Sequence, residues 1–304
     1  MVIRTGIIGY NEGNGHPFSF SAIINGYDAD AFSKVGWPVI LEYLNRQPKE
    51  AFGISGVCVT HAWTQDPIIT KNLCSACNIE NAVTHYEEML GEIDALIIAR
   101  DDWECHAQIS LPFLKEGIPV FIDKPLTLDL KEMEVFKPYL EAGLLMSTSG
   151  LRFASELDDL RNDLEQLGSI KLISATVLNG IEKYGIHMLD AVTGLGLPKV
   201  VKIHRLQSKH ESFFYTLENG ISMQLHCIGS VNKTFHLSLY GNKAHAHFDL
   251  HDNFTAFSRS LRYFFNMYKH STIIIPPSQI IDTMKLIKAS IALAPGEMLD
   301  LENG

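Results

Sequence analysis

The rhythm of apolar and polar positions changes about halfway along the chain. In the first half, short apolar runs that stop at glycine or polar residues alternate with stretches of helical spacing. The runs are Arg4–Tyr10, Ile54–Thr60, Ala82–Thr84, Ala95–Ala99, Val120–Ile122 and Leu144–Ser147. Runs this short and this apolar suit strands buried on both faces of a parallel sheet. Helices are predicted between them over Phe18–Asn25, Pro38–Asn45, Pro67–Cys77, Cys105–Glu116 and from Thr127 to Ala142, with a helical turn at Tyr86–Leu90. Gly26 and Gly117 stand where helix C-caps belong. Strands alternating with helices predict a doubly wound sheet, which binds ligands at the C-terminal ends of its strands.

From Gly168 the texture is different. Ile170–Leu178, Val200–Leu206, Ser212–Leu217, Ser222–Ile228, Thr234–Tyr240 and Ala244–Leu250 read as strands, several joined by tight links such as Glu218-Asn219-Gly220. Strand after strand with short turns predicts an antiparallel sheet. Closing helices are predicted over Phe254–Lys269 and Ser278–Leu293. In the second, Ile280, Met284, Ile287 and Ile291 mark one inward face.

Composition narrows the class. The chain has 304 residues, 46% hydrophobic and 20% charged, with a formal net charge of −10. That is a globular composition with room for two domains and no basic face for nucleic acid. No apolar run reaches the roughly 18–20 residues needed to cross a membrane. The first residues lack the features of a signal peptide, so a cytoplasmic location is expected. Five scattered Cys argue against a disulfide framework. Cys74 and Cys77 form one C-x-x-C, without the second pair that zinc would need.

Three places could carry chemistry. Between the first strand and the first helix lies Gly6-Ile-Ile-Gly9-Tyr10-Asn11-Glu12-Gly13-Asn14-Gly15-His16. Glycines there let the backbone approach a pyrophosphate, and a helix N-terminus offers N–H donors. The spacing departs from G-x-G-x-x-G, because Asn11 and Asn14 fill the second and third glycine positions. Asn tolerates left-handed backbone, so the turn is expected to survive. At the end of the second strand, where an acid usually binds the ribose of NAD, stand Thr60 and His61. Either the cofactor is NADP, or the ribose is held differently, or the site is altered. The third place is Phe121-Ile122-Asp123-Lys124-Pro125, preceded by Ala99-Arg100-Asp101-Asp102-Trp103-Glu104-Cys105-His106.

With these segments the chain resembles the Gfo/Idh/MocA family of oxidoreductases. His106 matches a His at a helix start, and Asp123-Lys124-Pro125 matches a Glu-Lys-Pro signature. Tyr86-Glu-Glu-Met-Leu, Ile93-Asp-Ala, Leu151-Arg152-Phe153 and Gly185-Ile-His187-Met-Leu-Asp190 follow in order. The resemblance covers nearly the whole chain. It implies an N-terminal Rossmann domain over 1–124 and a C-terminal open antiparallel sheet domain over 125–304 that binds substrate and mediates oligomerisation. It implies hydride transfer between NAD or NADP and a sugar-like alcohol or ketone, with Lys124 and His187 as acid/base groups. The implied cofactor contacts are Gly9, Tyr10, Asn11, Gly13, Thr60, His61, Ala99, Arg100, Asp101, His106, Asp123, Lys124 and Pro125. Arg152, Lys183 and Asp190 are implied to meet the substrate. A homodimer or homotetramer through the C-terminal sheet is expected, and no metal.

One position breaks the pattern. Relatives commonly carry an Asp four residues before the active-site His, and this chain has Lys183 there, beside Glu182. That keeps an alternative open: a non-catalytic dinucleotide- or sugar-binding relative that kept the fold. His245, His247 and His251 share one face of a continuous strand and read as a metal site or, more simply, as an interface.

Overall fold

A computed structural model describes residues 2–301. The chain forms two compact units. The first takes Met1–Thr148 and Phe257–Pro277, the second Ser149–Ala256 and Ser278–Gly304.

The first unit is built on six parallel strands: β1 (Ile3–Ile8), β2 (Val57–Trp63), β3 (Asn81–Ala82), β4 (Ala95–Ile98), β5 (Val120–Asp123) and β6 (Leu145–Thr148). Their order is β3-β2-β1-β4-β5-β6, the doubly wound order of dinucleotide-binding sheets. Every residue of β4, β5 and β6 is buried, as expected where helices cover both faces. Those helices are α1 (His16–Asn25), α2 (Ala29–Phe32), α3 (Pro38–Asn45), α4 (Pro67–Ala76), α5 (His106–Lys115) and α6 (Leu130–Glu141). Asp66 caps α4 by accepting Ile68 N–H, and Asp129 caps α6 by accepting Lys131 and Glu132 N–H, a common helix start. The unit runs past residue 124 because β6 pairs in register with β5.

The second unit holds seven strands: β7 (Ile170–Val177), β8 (Val200–Arg205), β9 (Glu211–Leu217), β10 (Ser222–Cys227), β11 (Phe235–Gly241), β12 (His245–Asp249) and β13 (Met298–Asp300). Their order is β12-β11-β7-β10-β9-β8-β13. The sheet is antiparallel except that β7 and β10 pair in parallel. Burial alternates along β10 and β11, so one face packs inward. The other carries half-exposed polar side chains such as Ser222, Gln224 and His226. The remaining helices in chain order are α7 (Asp158–Asn162), α8 (Ile186–Gly194), α9 (Asn253–His270) and α10 (Pro277–Ala292).

From Phe257 onward, α9 belongs to the first unit, and aromatic packing explains why. Phe257 meets Phe20 of α1 with ring centroids 5.2 Å apart, and Phe264 meets Phe121 of β5 at 5.8 Å. Phe20 and Phe121 close the cluster edge-on at 6.1 Å. Such pairs add to the large area that buried Phe rings remove from water. Phe264 is fully buried. Phe264→Ala is expected to cost roughly 3–5 kcal/mol in urea unfolding. Val39→Ala, at a position 69% exposed, is expected to stay within about 0.5 kcal/mol of the parent.

Candidate active site

The loop after β1 keeps its glycines for two different reasons. Asn14 N–H donates to Asn11 O at 3.1 Å, closing a turn in which Gly13 takes φ +80°, a left-handed conformation natural to glycine. At Gly9 the reason is packing: a Cβ would run into the Pro17 ring at the start of α1. Asn11 and Asn14 do not adopt left-handed backbone, contrary to expectation. Their side chains do the work instead. Asn11 Nδ2 donates to Asp101 Oδ1 and its Oδ1 accepts from Asp101 N. Asn14 Nδ2 donates to Asp123 Oδ2 at 3.2 Å, while its Oδ1 accepts His16 N–H at 2.8 Å. The amides of Glu12, Gly13 and Gly15 find no partner among the described residues.

Asp123 and Lys124 sit at the C-terminal end of β5, both 3% exposed. Asp123 Oδ2 meets His16 Nδ1 at 2.6 Å, and Asp123 Oδ1 accepts Lys124 N–H at 2.9 Å. Burial opposes ionisation of this carboxyl. The charges of His16 and Lys124 and the hydrogen bonds from His16 and Asn14 outweigh it and hold the pKa well below the usual carboxylate range. Lys124 Nζ lies 3.5 Å from Asp101 Oδ2, and Pro125 follows through a cis peptide bond. Asp101 itself stands just beyond β4. There Ala99 N–H donates to Ile8 O at 2.8 Å, and Arg100 is forked onto Asp102. The structure thus brings Gly9, Tyr10, Asn11, Gly13, Ala99, Arg100, Asp101, Asp123, Lys124 and Pro125 to one end of one sheet.

Other expected contacts fall elsewhere. Thr60 and His61 lie inside β2, not at its end, because the strand begins after Gly56 and runs to Trp63. His61 is paired with Gly6 on one side and Asn81 on the other. The residue at the true strand end that meets the loop is Gln65. Its Oε1 accepts Tyr10 N–H at 3.0 Å and its Nε2 donates to Tyr10 O. His106 is fully buried, with Nδ1 2.9 Å from Leu126 O and Nε2 3.0 Å from Arg100 O. It ties the segments after β4 and β5 together and has no exposed surface for a ligand.

In the second unit, α8 is entered through a π-helical turn, Ile181–Gly185. His187 is 9% exposed, and its Nδ1 lies 2.6 Å from Ser149 Oγ. Tyr184 and Phe235 meet its ring edge-on, at centroid distances of 5.7 and 5.4 Å. Glu182 and Lys183 are exposed on the turn. The side chain that meets the His187 ring is Tyr184, three residues before it, rather than Lys183, four before it. Arg152 and Asp190, both buried, face each other at 3.6 Å. Asp190 Oδ2 also accepts Ser149 N–H at 2.7 Å, and Arg152 donates to Gln279. Burial lowers the Arg152 pKa, and Asp190 opposes that shift.

Comparison with known proteins adds a family. Residues 33–143 match the Gfo/Idh/MocA family model, described as an oxidoreductase family with an NAD-binding Rossmann fold. That stretch runs from α3 through α6 of the first unit. No curated protein was found with a matching sequence. Among solved structures, scyllo-inositol dehydrogenase from Lactobacillus casei, with bound NAD(H) and scyllo-inositol, superposes with a TM-score of 0.77 at 16% identity, over 99% of this chain and 100% of that one. Myo-inositol 2-dehydrogenase from Lactobacillus plantarum gives 0.77 at 15%, over 99% of both chains. A myo-inositol dehydrogenase from Corynebacterium glutamicum gives 0.75 at 14%, again over 99% of both. At these identities the likeness establishes the fold. The Gfo/Idh/MocA match begins beyond the glycine loop, where this chain departs from the usual spacing.

One cluster has metal-ligand spacing. Asp102, Cys105 and His106 hold their ligand atoms within 4.8 Å of one another, the one such group of three among the described residues. Its chemistry does not suit a cation. Asp102 is forked by Arg100, both His106 nitrogens face carbonyls, and burial pushes the Cys105 thiol up to about 12. His245 and His247 have ring centroids 5.0 Å apart on exposed β12 and belong to no three-ligand group. Burial also pushes Cys74 up to about 11 and Cys77 well above its ordinary value, against thiolate chemistry in the C-x-x-C. Ser149, Asn14, His16, Gln65 and Tyr184 escaped the sequence reading as site residues. Only Asn14 and His16, inside the glycine loop, carried a local signal.

Asp123 offers a test. Its folded pKa is depressed, so its stabilisation is full above the unfolded value of about 4 and is lost as the pH falls below it. Asp123→Asn is expected to cost about 2 kcal/mol at pH 7. The gap to wild type should narrow on acidification below about pH 4. Urea midpoints across pH read both.

Proposed function

We propose that the protein is an NAD-dependent oxidoreductase that moves hydride between the nicotinamide and a CH–OH carbon of a cyclic polyol or sugar. The observation that carries this reading is Lys124, a buried lysine at the C-terminal end of β5, whose Nζ lies 3.5 Å from Asp101 Oδ2 while its backbone N–H donates to Asp123. Burying an ammonium is costly unless it is paired, and strand ends in doubly wound sheets are where ligands bind. The family match in this segment and the fold shared with inositol dehydrogenases support the same reading.

The residues present fit a dinucleotide. The Glu12, Gly13 and Gly15 amides, without partners among the described residues, can donate to pyrophosphate oxygens at the start of α1. Gln65 fixes the Tyr10 backbone and so sets the loop's position. No arginine follows β2 to clamp a 2′-phosphate: Thr64, Gln65 and Asp66 stand there. That favours NAD over NADP. When bound, the nicotinamide supplies or accepts the hydride. Lys124 donates a hydrogen bond to the reacting oxygen and steadies its developing negative charge. His187 exchanges the proton that this oxygen gains or loses. Asp101 holds the Lys124 side chain, and Asp123 accepts its backbone N–H. For self-association we assign the polar open face of the second sheet.

The test is turnover of a panel of inositols and sugars with NAD, followed by absorbance of the reduced nicotinamide. Wild type should turn over at least one, with little activity when NADP replaces NAD. Lys124→Ala should lose about 10²- to 10⁴-fold in kcat while still binding NADH. No turnover on any polyol or sugar, with NADH still bound, would instead favour a binding protein that kept the fold.

A further inference from the structure

We propose that Ser149 is the positioning residue of His187, and that it fixes which imidazole nitrogen exchanges protons. The inference rests on the proton-exchange role given to His187 above, but its observations lie wholly within the second unit.

Ser149 is fully buried, and its Oγ lies 2.6 Å from His187 Nδ1. The same oxygen accepts Leu151 N–H at 3.2 Å, as the N-cap of the short turn Gly150–Phe153. Its backbone is held as firmly. Ser149 N–H donates to Asp190 Oδ2 at 2.7 Å, and Asp190 faces Arg152, which donates to Gln279 of α10. His187 and Asp190 lie one turn apart on α8. One helix therefore grips Ser149 twice, by its side chain and by its amide. The seryl oxygen is held in place through both.

Proton bookkeeping decides the direction of the Ser149–His187 hydrogen bond. To take a proton from a substrate hydroxyl, neutral His187 must present a lone pair, and to return it the imidazolium must give up the same N–H. With Nδ1 committed to Ser149, that exchange falls to Nε2. In both protonation states Nδ1 then keeps its hydrogen and donates it to Ser149 Oγ. A serine oxygen has two lone pairs, enough for Nδ1–H and Leu151 N–H together. An orienting partner on the second ring nitrogen is the usual way a protein sets a histidine tautomer. Here a serine 38 residues upstream does so, in a chain whose position four before His187 holds Lys183.

The experiment is ¹⁵N NMR of the histidine rings in the full-length protein, with His187 assigned from the signals missing in His187→Gln. At a pH where His187 is neutral, wild type should show a protonated Nδ1 and an unprotonated Nε2. Ser149→Ala should shift His187 toward the Nε2–H form, and Ser149→Thr, which keeps the hydroxyl, should restore the wild-type pattern. A wild-type His187 protonated on Nε2, or a Ser149→Ala spectrum unchanged at His187, would overturn the proposal. Where a substrate is in hand, Ser149→Ala should lower kcat about tenfold or more with KM and NADH affinity unchanged. Loss of substrate or NADH affinity with kcat preserved would contradict the positioning role. The NMR result stands without a substrate, so failure to find an oxidoreductase activity leaves it separately decidable.

Discussion

A carboxylate buried at the end of a strand must find donors or give up its charge, and Asp123 finds them on both sides of the sheet's mouth. Asn14 and His16 reach it from the loop after β1, and the Lys124 amide reaches it from its own strand end. The bonds fix the loop relative to β5, because neither side can move without stranding a charge in a dry interior. Lys124 is placed by the same arrangement and meets Asp101, which Asn11 ties back to the loop. The ends of β1, β4 and β5 are thereby joined through side chains where a dinucleotide fold more often relies on close glycine backbone.

That substitution explains how a loop with the wrong glycine spacing fits a conventional sheet. Gly9 and Gly13 still meet a steric and a conformational demand. Asn11 and Asn14 replace backbone freedom with amide groups that bridge to carboxylates. The loop gains rigidity and keeps three amides available for an anion. Two carboxylates lie beside it, Asp101 met by Lys124 and Asp123 met by His16.

Much of the fold was legible because buried strands write their burial into the sequence. Ala95–Ile98 and Val120–Ile122 are apolar on both faces, and the alternation in Ser222–Cys227 reports a sheet with one wet face. The second strand was misplaced because Ile54 and Gly56 mimic a strand start, while polar Thr60 and His61 mimic an end. They tolerate the interior of β2 because its outer neighbour, β3, is only two residues long, leaving both half-exposed. The parallel β7–β10 pair and the return of α9 to the first unit depend on long-range pairing that local patterns do not encode. Lys124 and His187 could be singled out from their motifs. Ser149 could not, since nothing in Thr148-Ser149-Gly150 points to a histidine a helix away. Tyr184 escaped because i,i+3 and i,i+4 positions share a helix face, and only the second was considered before His187.

The mouth of the first sheet, set by Asp123, is proposed to hold a nicotinamide dinucleotide. A crystal structure of the protein with NADH tests it most directly. The expected result is a pyrophosphate lying against the amides of Glu12, Gly13 and Gly15 at the start of α1, with Asn14 and His16 still bound to Asp123. An empty loop at millimolar NADH, or a dinucleotide bound elsewhere on the protein, would contradict it.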